Sequence, residues 1–224
     1  KVGGWLAYQV DIKKEEKPKS SDTAKPDPNK KTKKVKKNSD DNGYTLVLRK
    51  FDGKETQFGF VKDYTFAKSG QGLLFSSTGN DSTLKAGVYW YDLQKQELKA
   101  LHEGKSKYKY KGLSISEEGT QAAFLLDSDT TKALIRYFKL YHWKNENPSA
   151  QLLDVETSLG IPQNWIVSEH YSPIFSKDGG KLFFGSAPKP IVQDTTLLTE
   201  EIVSVEIWHG EDGYIYPQQN KQLE

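Results

Sequence analysis

Ile115-Ser116-Glu117-Glu118-Gly119-Thr120-Gln121-Ala122-Ala123-Phe124 places an apolar strand end, a polar turn closed by glycine and a second apolar strand in ten residues. The same order recurs in Phe66-Ala67-Lys68-Ser69-Gly70-Gln71-Gly72-Leu73-Leu74-Phe75 and in Phe175-Ser176-Lys177-Asp178-Gly179-Gly180-Lys181-Leu182-Phe183-Phe184. The turn glycines Gly70, Gly119 and Gly179 stand 49 and then 60 residues apart. Self-similarity at this period marks a repeat architecture, and a hairpin-bearing unit of about 40–50 residues suggests the blade of a β-propeller.

Working outward, strands are predicted at 44–50 and 56–60, with Asp52-Gly53 as the turn between them. The next unit gives 64–66, 73–76, 87–91 and 97–101, and a third gives 110–115, 122–126, 136–143 and 151–154. A fourth gives 171–175, 182–185 and 203–208, then a fragment at 214–217. Each complete unit holds four strands joined by Gly, Asp, Asn or Ser turns. Val88-Tyr89-Trp90-Tyr91, Leu140-Tyr141-His142-Trp143 and Val205-Glu206-Ile207-Trp208 bring bulky aromatics to matched places. Packing between neighbouring sheets is the simplest use for them. The fold class expected is all-β: a partial propeller of three to four four-stranded antiparallel blades, an incomplete ring spanning 1–224 as one segment.

Trp5-Leu6-Ala7-Tyr8 matches Lys181-Leu182-Phe183-Phe184 in position after the turn, so the chain is expected to begin inside a blade. Composition then shifts abruptly. Residues 13–37 hold 11 Lys against four acids, with Pro18, Pro26 and Pro28, and Val35 is their only large aliphatic side chain. Such a stretch buries too little apolar area to offset its ordering entropy, so 13–43 reads as a flexible insertion within the first blade. A nucleic-acid arm is the competing reading, but interspersed acids and the lack of aromatics for base stacking disfavour it.

The 224 residues carry a net charge of +2, too near zero to imply nucleic acid by bulk attraction. Aromatics reach 12%, which favours strands, and the absence of Cys excludes disulfides, thiolate metal sites and a cysteine nucleophile. With no Met the chain reads as a processed or excised piece, and no apolar run is long enough to span a bilayer.

Motifs for chemistry are sparse. No Gly-x-Ser-x-Gly elbow occurs, and Gly112-Leu113-Ser114-Ile115-Ser116 lacks the closing glycine. His102, His142, His170 and His209 are dispersed without zinc-site spacing, and Asp127-Ser128-Asp129 lacks the Gly and distant Glu of a calcium loop. Glu117-Glu118 sits in a repeat turn, which points to solvent. No catalytic residue, cofactor or metal is therefore assigned. Thr65, Ser114 and Ser172, on the strands that would lie innermost, are the candidates for facing a central channel, where small hydroxyl residues also simply suit a crowded axis.

Tyr171-Ser172-Pro173-Ile174-Phe175 followed by Ser176-Lys177-Asp178-Gly179-Gly180-Lys181-Leu182 resembles the repeats of TolB-like and prolyl-oligopeptidase-type propellers. Val205-Glu206-Ile207-Trp208 with Tyr216-Pro217-Gln218-Gln219 resembles the propeller region of bacterial prolyl-oligopeptidase-family, dipeptidyl-peptidase-like serine peptidases. The resemblance implies a non-catalytic portion of an exported peptidase, periplasmic or secreted, gating peptide access to a hydrolase domain elsewhere in the same protein. Its implied partners are peptide substrates and that hydrolase domain. The alternative is a TolB-like or Trp-Asp-repeat-like protein-binding scaffold without activity.

Overall fold

In the computed structural model, residues 4–11, 42–79, 84–131, 133, 135–158 and 160–190 are described. The strands predicted at 203–208 and 214–217, and 13–41 of the lysine-rich segment, lie outside them. The fold is all-β, and every pairing is antiparallel. One six-stranded sheet runs in chain order through β1 (Trp5–Val10), β2 (Tyr44–Lys50), β3 (Glu55–Phe66), β4 (Gly72–Ser77), β5 (Ala86–Asp92) and β6 (Glu97–Gly104). A four-stranded sheet follows, from β7 (Lys109–Ile115) through β8 (Gln121–Asp127) and β9 (Lys139–Lys144) to β10 (Gln151–Leu153). Two nested ladders come last: β11 (Trp165–Val167) with β14 (Ser186–Pro188), and β12 (Ile174–Phe175) with β13 (Leu182–Phe183). Among the described residues no sheet closes on itself.

The three repeated turns have one geometry. Gly70 N donates to the Ala67 carbonyl at 3.0 Å, and Gly119 and Gly179 donate to Ser116 and Ser176 at 2.9 Å. Each hairpin is then closed by a bond five residues long: Ala67 N to Gly72 O, Ser116 N to Gln121 O and Ser176 N to Lys181 O. The glycines hold φ of 75°, 77° and 69°, a region that a side chain would strain. The turns also touch one another. Ser69 N donates to the Glu117 carbonyl, Lys68 Nζ pairs with Glu117 at 2.7 Å, and Gln121 Nε2 donates to the Gly179 carbonyl at 3.0 Å.

Alternation along the strands divides the interior into three layers. Leu73, Phe75, Tyr89 and Tyr91 face one way, packing with Leu46, Leu48 and Phe58. Leu74, Val88 and Trp90 face the other, meeting Ala122, Phe124, Leu126 and Trp143 of the four-stranded sheet. Ala123, Leu125 and Leu140 on that sheet's far face close over Val167, Phe175 and Leu182. Strands covered on both faces read as near-continuous apolar runs, which is why β4, β5 and β8 show so little polar alternation. The matched aromatics pack as expected: the Trp90 and Trp143 rings stand 5.7 Å apart.

Several boundaries differ from the sequence reading: the strands predicted at 171–175 and 182–185 shrink to Ile174–Phe175 and Leu182–Phe183, and the β11–β14 ladder beyond them was not predicted. The strands predicted at 56–60 and 64–66 are one strand, β3, because Val61-Lys62-Asp63 has no Gly or Pro to end it and the backbone bulges there instead of turning. Its first half pairs with β2 and its second with β4, so the partial first unit and the four-stranded second one, expected as separate sheets, share a six-stranded one. The strand predicted from 136 starts at Lys139, because Arg136 turns back to pair with Asp127. β1 and β2, which flank the lysine-rich segment, are direct antiparallel neighbours.

Gly72 lies under Trp90, where an added Cβ would stand 2.1 Å from the ring. Gly72→Ala is expected to cost about 1–3 kcal/mol through overpacking. Trp143→Ala, which empties a fully buried site, should cost about 3–5 kcal/mol. Urea unfolding of both variants against the parent checks the order.

Candidate functional site

Sheet pairing breaks near one level in all three hairpins. Between β3 and β4 the register shifts between Val61 and Asp63, and between β7 and β8 it shifts between Lys111 and Ser114. In the last hairpin the ladder is interrupted between Val167 and Ile174. Bulges re-aim side chains and are favoured beside functional sites. Just ahead of the first break Phe60 holds φ of 60°, unusual for a bulky residue, while its carbonyl accepts from Thr78 N at 2.8 Å. At the second break Gly112 holds φ of 62°, and a Cβ there would lie 2.9 Å from Pro173.

These breaks open a cleft of about 440 Å³. Lys62 and Asp63 come from the β3 bulge, Ser76 to Thr78 from the end of β4, and residues 106 to 111 from the start of β7 and the turn before it. Arg136, Phe138 and Glu169 complete the lining. Arg136 is committed elsewhere: its Nη1 pairs with Asp127 at 2.9 Å and donates to the Asp129 carbonyl at 2.7 Å, and its Nη2 donates to the Thr131 carbonyl. This pairing holds Asp127, whose side chain is 2% exposed, and pins the loop behind the cleft wall. Lys111 pairs with Glu169 and lies 5.1 Å from the centre of the Phe138 ring.

Behind the tyrosine wall sits His102, whose Nδ1 is hydrogen-bonded to the Tyr110 hydroxyl at 3.0 Å, with Tyr141 edge-on at 5.2 Å. Burial lowers the His102 pKa and raises that of Tyr110, so a neutral imidazole meets a neutral phenol. Burial, with the charge of Glu103, pushes Tyr89 up to about 12. His142 Nε2 meets Gln121 Oε1 at 2.9 Å, and burial, then repulsion from Lys144, lowers its pKa. Among the described residues neither imidazole is hydrogen-bonded to a serine or a carboxylate. Among the described residues no group of three or more His, Cys, Asp or Glu could hold a metal, and no helix is long and apolar enough to cross a membrane.

The sequence candidates fall outside this cleft. Thr65 and Ser114 are half-buried at equivalent register positions, opposite Leu74 and Ala123. Their register equivalent in the third hairpin is Ile174, opposite Phe183. Ser172 is exposed two residues earlier, with its Oγ 3.5 Å from where a Gly112 Cβ would be. The cleft residues were passed over. Their signal is the alternation Lys105-Ser106-Lys107-Tyr108-Lys109-Tyr110-Lys111, which sends lysines one way and tyrosines the other along a strand.

No family model matches the sequence, and no curated relative does. Among solved structures, the chain is similar to TolB from Acinetobacter baumannii at 13% identity and a TM-score of 0.39, over 62% of this chain and 31% of that one. A crystal structure of the tricorn protease matches at 14% identity and 0.43, over 69% of this chain and 15% of that one. A prolyl endopeptidase structure matches at 14% identity and 0.37, over 64% and 23%. The chain thus spans under a third of each of these neighbours. At such values the likeness decides no activity.

Two outcomes follow from the geometry. Arg136→Met should cost about 3–5 kcal/mol by stranding the buried Asp127 carboxylate, and an Asp127→Leu/Arg136→Met pair should lose less; denaturant melts compare them. Because His102 and His142 titrate below the ordinary 6.5 when folded, the unfolded chain takes up protons first as pH falls. Stability should therefore drop as pH falls below about 6.5, with a shallower slope in a His102→Gln/His142→Gln variant.

Proposed function

We propose that this chain is part of a β-propeller in which each hairpin-bearing module is a blade. In this reading 1–224 is a single propeller segment and 13–43 is a flexible insertion inside its first blade. Thr65, Ser114 and Ser172 face the channel. The propeller belongs to an exported prolyl-oligopeptidase-like serine peptidase, and it gates the access of short peptides to a hydrolase domain of the same protein. Its contribution is steric selection and exclusion of water, with no bond chemistry of its own.

One observation carries the reading: three equivalent turns, each in contact with the turn or strand of the next, lie on modules that are each buried against a neighbour. Sheets stacked in this way make a wall. The histidine environments agree with a supporting role, since His102 is bonded to Tyr110 and His142 to Gln121.

The test is active-site labelling of the intact protein with a fluorophosphonate, followed by peptide mapping and cleavage assays on short and long proline-containing substrates. Labelling at a serine outside 1–224, with turnover confined to short peptides, is the expected result. Labelling within 1–224 would overturn the reading. No labelling, together with a stable complex with another protein, would favour the TolB-like or Trp-Asp-repeat-like scaffold.

A further inference from the structure

We propose that the cleft at the three register breaks is a binding site for a small organic anion, an acidic headgroup carried on an apolar body. The inference is independent of the peptidase reading, because it needs only the lining and its charge.

Five cationic side chains line the cleft, and two of them are neutralised within the fold: Lys111 by Glu169 and Arg136 by Asp127. The other three are Lys62, Lys107 and Lys109, and Asp63 is the single further carboxylate in the lining. Lys107 donates to the Thr130 carbonyl at 3.3 Å, which is uncharged. The rim therefore keeps a surplus of two positive charges (three ammoniums less one carboxylate) after its internal pairs are counted. Lysine ammoniums on mobile stems suit a carboxylate or a phosphate, each of which they meet as point charges.

Below that rim the wall is aromatic. Tyr110 and Phe138 are buried and Tyr108 is half-buried, and the Tyr110 hydroxyl is already taken by His102. Half-buried Tyr108 thus offers a ligand aromatic contact area, backed by Tyr110 and Phe138, with few hydrogen-bonding groups. Ser76, 2% exposed, lines the same space, and its Oγ accepts from Asp63 N at 3.3 Å. An apolar wall with a few placed polar groups is the usual make-up of a small-molecule site, and the volume falls in the range of roughly 300–1,000 Å³ common to such sites. An inorganic anion would leave the aromatic wall unused, and a neutral apolar molecule would leave the lysines unused.

The two headgroup chemistries are separated by calorimetric titration of the intact protein with phenyl phosphate, phenylacetate and benzyl alcohol. At least one of the two anions should saturate, and the tighter identifies the headgroup. Benzyl alcohol should give no saturable heat. Lys62→Ala/Lys109→Ala should weaken anion binding about tenfold, and raised salt should weaken it in the parent. Both side chains are exposed, so an unchanged thermal midpoint will show that the fold is retained. Lys177→Ala, on the third turn, should bind as the parent does. Failure of both anions to saturate would overturn the proposal. So would equal binding of benzyl alcohol, or parent-like affinity in the double variant.

Discussion

The requirement that each central sheet be covered on both faces governs the rest of this structure. A strand shows alternate side chains to opposite sides, so β4 and β5 carry unbroken apolar runs, Leu73–Phe75 and Val88–Tyr91, to serve two layers at once. Leu74 and Trp90 belong to one layer while Phe75 and Tyr91, their immediate neighbours, belong to the other. A one-residue slip in register would exchange the two sets and misfit both. The glycine turns keep that from happening. Each fixes its hairpin through the same pair of backbone bonds, and each touches the turn or strand of its neighbour.

The cleft is the counterpart of this rigidity. Pairing is regular close to the turns and broken farther along the same strands, where Val61, Lys111 and the segment after Val167 leave register. Regular ladders would have sent the side chains of Lys62 and Asp63 alternately into the two layers. The bulge instead leaves both exposed at the lip of one opening. Placing charge beside a packed interior is thus done by the backbone, with the aromatic layer left whole behind it.

Much of the fold was legible because turn chemistry is local. Gly70, Gly119 and Gly179 hold the positive φ that makes glycine necessary, and the residues around them name the hairpins. The aromatic triplets around Trp90 and Trp143 were equally readable, since rings of that size have few places to go. What escaped depends on distant partners. The merging of two expected strands into β3 turns on the different neighbours of its two halves. The shortened start of β9 turns on an Arg136–Asp127 pair that spacing does not reveal. The cleft needed three separate breaks to coincide, and only the lysine–tyrosine alternation before Gly112 hinted at it.

The continuity of β3 has a consequence for cooperativity. Because one strand serves β2 on one half and β4 on the other, loosening either partner removes hydrogen bonds from a segment the other relies on. The six-stranded sheet is therefore expected to open as one foldon, with its amides exchanging through a shared event in native-state hydrogen exchange. Among the described residues the last hairpin, held by ladders of three and two pairs, shares no strand in this way and is expected to open at lower free energy.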